Sequence, residues 1–133
     1  MPFWIVKTEP STYSFDDLER QKRATWDGVK NPVALKHIKE MKPGDMVMIY
    51  HTGDQKAIVG LADVVSHPYP DPKDPKLTVV DLVPGTRLTQ PVTLAAVKAD
   101  KAFADLGLVR MGRLSVMPVS GEQWRRILGM SKG

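Results

Sequence analysis

The sequence predicts an α+β fold in which a small curved β-sheet or β-barrel of about five to six strands is flanked by short helices. Apolar runs at residues 46–51 and 57–65 flank a glycine-containing turn, which is the pattern of a buried hairpin. Further apolar runs at residues 3–6, 77–83 and 114–119 have the length of strands. The 11 prolines and 10 glycines divide the chain into many short elements, which favours a curved sheet over a helical bundle.

The composition indicates one globular domain spanning residues 1–133. A chain of 133 residues suffices for one hydrophobic core but not for two ordinary ones. Its hydrophobic fraction of 42% and charged fraction of 26% are usual for globular proteins. No apolar run approaches the roughly 20 residues that a membrane span needs, and the N-terminus lacks a secretion-signal pattern. We therefore expect a cytoplasmic protein, with a monomer favoured.

Capping signals predict where the helices begin. Asn31 followed by Pro32 is the clearest start, because asparagine caps a helix and proline fits its first turn. Ser120 with Gln123 forms a capping box for a terminal helix. The predicted helices follow Ser14, Asn31, Thr93 and Ser120, with a further helical turn at 103–106 and a proline-rich surface loop at 68–75.

Metal and thiol chemistry are not indicated by the sequence. Because cysteine is absent, the chain has no disulfide, no thiolate nucleophile and no zinc–thiolate site. His37, His51 and His67 do not have the spacing of four residues that places two ligands on one face of a helix. We expect neither a metal nor a cofactor.

Positive charge is concentrated near the C-terminus. Acidic and basic side chains balance over residues 1–109, so the net charge of +4 arises in the last part of the chain. The residues concerned are Arg110, Arg113, Arg125, Arg126 and Lys132, against Glu122. Such a cluster suits contacts with phosphates, although a solvated charged face has the same pattern.

Trp26 lies in a polar, glycine-containing stretch that precedes the helix start at Asn31. A tryptophan in a loop can stack on a base, which contributes roughly 1–3 kcal/mol. Gly28 would let backbone approach a ligand closely, and the helix start offers free N–H groups to an oxygen. The alternative is that Trp26 belongs to the core and Asn31 is only a cap. The residues by themselves leave both interpretations open.

Seven short motifs extend this interpretation over almost the whole chain. They are Lys7–Pro10, Trp26–Asn31, Met41–Asp45, Tyr50–Thr52, Ile58–Gly60, Tyr69–Asp71 and Arg113–Val116. In this order and at this spacing they resemble the EVE-domain family of the PUA-like superfamily, which is related to YTH and ASCH domains. YTH domains read methylated adenine in RNA through an aromatic cage. The resemblance therefore implies recognition of a single modified base of DNA or RNA, single-stranded or flipped out of a duplex.

The same resemblance implies which residues form the site. Trp26 would be the stacking wall of a base pocket and Asn31 its polar reader. The implied pocket residues are Trp26, Asn31, Tyr50, His51, Thr52, Lys7, Thr8, Glu9, Gly28 and Val29. The implied phosphate or base contacts are Lys30, Arg110, Arg113 and Ser115. We expect Trp26, Tyr50 and His51 to line one open concavity.

Three positions near the tryptophan depart from the usual family pattern. Lys30 replaces a usual arginine, Pro32 a usual aromatic residue, and Leu35 a frequent basic residue. Lysine lacks the bidentate fork of arginine. A phosphate contact at position 30 would therefore survive with poorer geometry, whereas a base contact there would change the preferred base.

Three functions are compatible with the sequence. The leading interpretation is a non-catalytic nucleic-acid-binding module that reads one modified base. A nucleic-acid-modifying enzyme would use Glu9, His51 or Asp27 as acid or base in the same pocket. An interaction module for a protein or a small heterocycle would keep the pocket without using the arginines for nucleic acid.

Overall fold

The computed structural model describes residues 2–132 and confirms the predicted curved sheet with flanking short helices. In that range it has seven strands, one more than the upper estimate from the sequence. The strands are β1 (Phe3–Thr8), β2 (Ala24–Trp26), β3 (Met46–His51), β4 (Ala57–Val64), β5 (Tyr69–Asp71), β6 (Asp74–Thr93) and β7 (Val116–Val119). The helices are α1 (Phe15–Gln21), α2 (Pro32–Glu40), α3 (Leu94–Lys98), α4 (Gly107–Arg110) and α5 (Gly121–Met130), with a 3-10 helix at Lys101–Phe103.

The sheet is mixed and strongly curved. Its strands are ordered β2-β6-β4-β3-β1-β7, and β5 pairs with a separate part of β6. The pairing of β1 with β3 is parallel, whereas the other pairings are antiparallel. The register between β4 and β6 shifts twice, on either side of Gly60. Because such irregularities bend and twist a strand, they account for the curvature of the sheet.

The core lies inside this curved sheet and under the helices. The prediction that Trp4 and Trp124 are core residues is confirmed, with 5% and 4% of their surfaces exposed. The Trp4 indole N–H donates to the buried Asp45 carboxylate at 3.0 Å. Trp124, on α5, stacks on Phe3 at a centroid distance of 4.7 Å, so the terminal helix closes one end of the sheet.

The predicted helix starts after Ser14, Asn31, Thr93 and Ser120 are confirmed. The helical turn predicted at 103–106 is present as a turn in which the Leu106 N–H donates to the Phe103 carbonyl at 3.0 Å, between the 3-10 helix that ends at Phe103 and α4 that begins at Gly107. None of the helices within residues 2–132 is long and apolar enough to cross a membrane.

Two strand predictions also need correction. The loop predicted at 68–75 contains β5, whose Tyr69 pairs with Val79 of β6. The strand predicted at 77–83 continues to Thr93 despite Pro84. Beyond Leu82 the described part of β6 pairs with β4 on one edge only. Pro84 has no N–H to donate, and it is tolerated because the other edge of β6 has no partner strand at this point within the described range.

Gly60 is required where β4 crosses Phe15. A Cβ atom at this position would lie 2.5 Å from the Phe15 ring. We expect Gly60→Ala to lower the free energy of unfolding by about 1–3 kcal/mol, because overpacking displaces a buried ring. Urea unfolding measures this loss. Gly129→Ala is the matched control, since its Cβ would meet no atom within 4 Å, and an equal loss in both variants would contradict the steric explanation.

Candidate functional site

A cavity of about 650 Å³ opens between the end of β1, the turn that follows it, β2 and the loop that precedes α2. We call it the Trp26 cavity. Its lining residues are Lys7, Thr8, Thr12, Tyr13, Gln21, Arg23, Ala24, Thr25, Trp26, Asp27, Gly28, Val29, Lys30 and Ser115. Its volume lies within the range of roughly 300–1,000 Å³ that is usual for ligand sites.

Two aromatic rings meet at a right angle in the wall of this cavity. Trp26 and Tyr13 form an edge-to-face pair with centroids 5.9 Å apart and planes at 84°. Only 7% of the Trp26 surface is exposed, and the ring belongs to the hydrophobic core while it also lines the cavity. The two interpretations of Trp26 left open by the sequence are therefore compatible. A ring fixed by core packing gives a ligand a rigid wall.

Tyr13 was missed by sequence reasoning although the structure makes it the second aromatic wall. The Thr8 hydroxyl donates to the Tyr13 carbonyl at 2.6 Å, and the Tyr13 hydroxyl donates to the Gln21 side chain at 2.7 Å. Burial raises the pKa of Tyr13 above its ordinary value. The signal that could have identified Tyr13 is the one used for Trp26, an aromatic residue in a polar turn.

Asp81 of β6 holds the β2 wall of the cavity. It accepts hydrogen bonds from Arg23 at 2.9 Å, from Thr25 at 3.1 Å and from the Tyr69 hydroxyl at 2.6 Å. Arg23 and Thr25 line the Trp26 cavity, and sequence reasoning missed both of them. Burial raises the pKa of Asp81, but the hydrogen bonds from Tyr69, Arg23 and Thr25 outweigh it, so the pKa lies below the usual range.

The Trp26 cavity is positively charged. Lys7, Arg23 and Lys30 line it, and Asp27 is the one carboxylate among its lining residues. The Lys7 ammonium donates to the Gly112 carbonyl at 2.9 Å, and burial lowers the pKa of Lys7. An excess of cations at a concave site attracts anionic ligands.

Asn31 and Arg113 meet in a neighbouring cavity of about 280 Å³. The Asn31 side-chain oxygen accepts the backbone N–H groups of Val33 at 2.8 Å and Ala34 at 3.1 Å. Because that oxygen caps α2, only the amide N–H₂ of Asn31 is left to contact a ligand. Arg110 ends α4 and lies outside both cavities.

The expectation that Trp26, Tyr50 and His51 line one concavity is wrong. The Trp26 cavity has no residue of β3 in its lining and includes Ser115 beside β7. β1 lies between β3 and β7 in the sheet, which separates the end of β3 from the cavity. Tyr50 and Thr52 instead line a third cavity of about 220 Å³, which we call the lysine cavity.

His51 has a structural role in this fold. Only 6% of its surface is exposed. Its Nε2 accepts the Phe15 N–H at 3.0 Å, and its Nδ1 lies 2.8 Å from the side-chain oxygen of Gln55. Both ring nitrogens are therefore occupied, and His51 ties the end of β3 to the start of α1.

Glu9 also lies outside the three cavities. Its carboxylate accepts the Ser11 backbone N–H at 3.2 Å, the Ser11 hydroxyl at 3.1 Å and the Thr52 hydroxyl at 3.2 Å. The pKa of Glu9 is lowered below its ordinary value, and the hydrogen bond from the Ser11 backbone N–H is the largest cause. The hydrogen bonds from the Ser11 and Thr52 hydroxyls also lower it. Glu9 thus fastens the turn after β1 to the turn after β3.

The structure thus places a cationic, aromatic-walled cavity at one end of a curved mixed sheet. The chain belongs to the EVE-domain family, whose model matches residues 2–130.

Named relatives support this membership. Thymocyte nuclear protein 1 of Mus musculus is 29% identical over 98% of this chain and 74% of its own length. The NMR structure of Rpa0253 from Rhodopseudomonas palustris superposes with a TM-score of 0.94 at 40% identity, covering 99% of this chain and 94% of that one. The crystal structure of human THYN1 protein in complex with 5-methylcytosine-containing DNA superposes with a TM-score of 0.91 at 24% identity, covering 100% and 99%.

The hydrogen bonds to Asp81 predict a measurable titration. We expect the Asp81 carboxyl to titrate below the usual aspartate range, and its pKa to rise in Arg23→Gln because two N–H donors and a positive charge are lost. Because the Asp81 pKa is lower in the folded than in the unfolded chain, the ionised carboxylate stabilises the fold at pH values above the unfolded-state pKa. This stabilisation is lost as the pH falls through the folded-state pKa. Carbon-13 NMR titration measures the Asp81 pKa in wild type and in Arg23→Gln. Arg20→Gln is the control, because Arg20 pairs with Asp17, and an unchanged Asp81 pKa in Arg23→Gln would contradict the assignment.

Proposed function

We propose that this domain is a non-catalytic nucleic-acid reader that takes one modified base of DNA or RNA, single-stranded or flipped out, into the Trp26 cavity. The observation that carries the proposal is the edge-to-face pair of Trp26 and Tyr13 inside a cavity of about 650 Å³. A planar base can stack on one ring while its edge contacts the other.

Polar groups around the aromatic walls supply the means of reading a base edge. Thr12 and Ser115 contribute hydroxyl groups to the lining, and Gln21 contributes a side-chain amide. Hydroxyl and amide groups can donate to ring nitrogens or carbonyls and accept from exocyclic amines. A base held by stacking alone would not be distinguished from others, so these groups carry the selectivity.

Cations at the cavity suit the phosphates on either side of such a base. Lys7, Arg23 and Lys30 line the cavity, and ammonium and guanidinium groups neutralise phosphates with release of counterions. Arg113 in the neighbouring cavity is a further candidate. This division follows the general rule that phosphate contacts position the strand and base contacts specify it.

The relatives support the same proposal. Human THYN1 protein, which shares the fold, is seen in complex with DNA that contains 5-methylcytosine. The chain keeps Trp26, Gly28 and Val29 at the cavity, while Lys30 occupies the place of a usual arginine. We therefore propose a modified base as the ligand, with Lys30 making a phosphate contact that lacks the bidentate geometry of an arginine.

The contacts of the candidate acids and bases favour binding over catalysis. His51 has both nitrogens engaged and Glu9 is held by Ser11 and Thr52, outside the cavity. Asp27 does line the cavity, but its lining contains no histidine with which to form an acid–base pair. A reader needs no such pair, because its function ends with binding.

Replacing Trp26 tests the proposal. Because Trp26 is packed in the core, an alanine would remove roughly 3–5 kcal/mol of stability, so leucine and phenylalanine are the informative replacements. We expect Trp26→Leu to weaken binding of an oligonucleotide with a modified base by about 1–3 kcal/mol, through loss of stacking, and Trp26→Phe to keep most of the affinity. Fluorescence anisotropy with oligonucleotides that contain 5-methylcytosine, N6-methyladenine or no modification measures the effect.

Trp124→Leu is the matched control for this series. Trp124 is equally buried but lies on α5 outside the Trp26 cavity, so its replacement lowers stability without touching the proposed site. Thermal unfolding verifies that each variant is folded at the binding temperature. Equal preference for modified bases in wild type and Trp26→Leu would rule out the stacking role.

A further inference from the structure

The lysine cavity is a second cationic concavity that shares a wall with the Trp26 cavity. Three lysines from three separate elements line it, namely Lys7 at the end of β1, Lys56 in the turn before β4 and Lys98 on α3. No carboxylate is among its lining residues, although the hydroxyl of the lining Thr52 donates to Glu9 at 3.2 Å. Its volume of about 220 Å³ suits a small anionic group rather than a whole base with its sugar.

The fold holds the Lys7 side chain and the backbones of Lys56 and Lys98 in place. The Lys7 ammonium donates to the Gly112 carbonyl at 2.9 Å and lies 5.7 Å from the centroid of the Tyr50 ring. The Lys56 carbonyl accepts the Leu94 N–H at 2.8 Å, which fixes the turn against the start of α3. Lys98 follows Leu94 by four residues, so the two occupy the same face of α3 and line the same cavity.

The three lysines are uncompensated within the described range. No acidic residue among residues 2–132 forms an ion pair with any of them, whereas Arg23, Arg87 and Arg126 all have acidic partners. Burial without a counter-charge lowers the pKa of Lys7. An anion in the cavity would offset the desolvation of Lys7.

We propose that the lysine cavity binds a backbone phosphate of the nucleic-acid strand, adjacent to the nucleotide whose base enters the Trp26 cavity. This inference rests on the proposed function. Lys7 lines both cavities, so a strand with its base in one passes directly beside the other. Among the C-terminal arginines, Arg126 is less available for this task, because it is paired with Asp100 at 2.7 Å.

The salt dependence of binding tests this site. A single-stranded oligonucleotide with or without 5-methylcytosine is titrated with wild type and with Lys56→Gln/Lys98→Gln over a series of salt concentrations. We expect the slope of log K against log salt to become less negative by about 0.7 in the double variant, because the contact with one phosphate is lost and fewer counterions are released. The preference for the modified base should remain, since these two lysines do not line the Trp26 cavity.

Lys36→Gln/Lys39→Gln on α2 is the matched control. It removes the same charge from exposed positions outside the three cavities, and its salt slope should stay close to that of wild type. An unchanged salt slope in Lys56→Gln/Lys98→Gln overturns the phosphate site. If the preference for the modified base is retained in that result, the proposed base-reading function still stands. A less negative slope in the double variant, with no preference for the modified base, supports the phosphate site and overturns the proposed reader. Absence of oligonucleotide binding to wild type overturns the phosphate site and the reader together.

Inorganic phosphate distinguishes a strand phosphate from a free anion. Wild type and Lys56→Gln/Lys98→Gln are titrated with phosphate at constant ionic strength, and the backbone amide shifts of Gly53 and Gly112 report occupancy of the cavity. We expect at most weak binding of phosphate alone, since the strand is held at several points. Tight phosphate binding that the double variant abolishes, together with an unchanged oligonucleotide slope, would assign the cavity to a free anion.

Discussion

The Trp26 cavity depends on the pairing of β6 with three other strands. This 20-residue strand pairs with β5 through Tyr69 and Val79, with β2 through Trp26 and Val80, and with β4 beyond Leu82. One continuous strand therefore sets the position of the short β2, which makes only three ladder pairs of its own. Without β6, a strand as short as β2 would not hold Trp26 in a defined place.

The same strand links the core to the chemistry of the site. Asp81 on β6 holds Arg23 and Thr25, and its neighbour Val80 pairs with Trp26. The aromatic wall and the cation beside it are thus fixed by adjacent residues of one strand. Pre-organised walls reduce the conformational entropy that is lost on binding, which suits the proposed recognition of a single flat base.

Local signals predicted the helices and the central strands well. Caps at Ser14, Asn31 and Ser120 are short-range hydrogen-bonding patterns, so they can be read from a few residues. β2 and the second half of β6 could not be read in this way. A three-residue strand has no periodicity, and the continuation of β6 through Pro84 depends on which edge of the strand is free.

The site was predictable in part for a similar reason. The stretch Trp26–Lys30 is continuous in sequence, so its residues can be recognised together. Four residues of this stretch that the sequence implied as pocket or phosphate contacts line the Trp26 cavity in the structure, namely Trp26, Gly28, Val29 and Lys30. Arg23 and Thr25 are held at that cavity by Asp81 of β6, a tertiary contact that no local pattern records. Tyr50 and His51 adjoin Lys7 and Thr8 in the β1–β3 ladder, but strand order separates them from Trp26.

The central claim is that one base occupies the space beside Trp26 and Tyr13. The most direct measurement is a crystal structure of this chain with a short oligonucleotide that contains 5-methylcytosine. The claim predicts a single base inside the Trp26 cavity, with its plane stacked on one of the two rings and its sugar near Lys7 or Lys30. A bound strand whose bases all remain outside this cavity would contradict it.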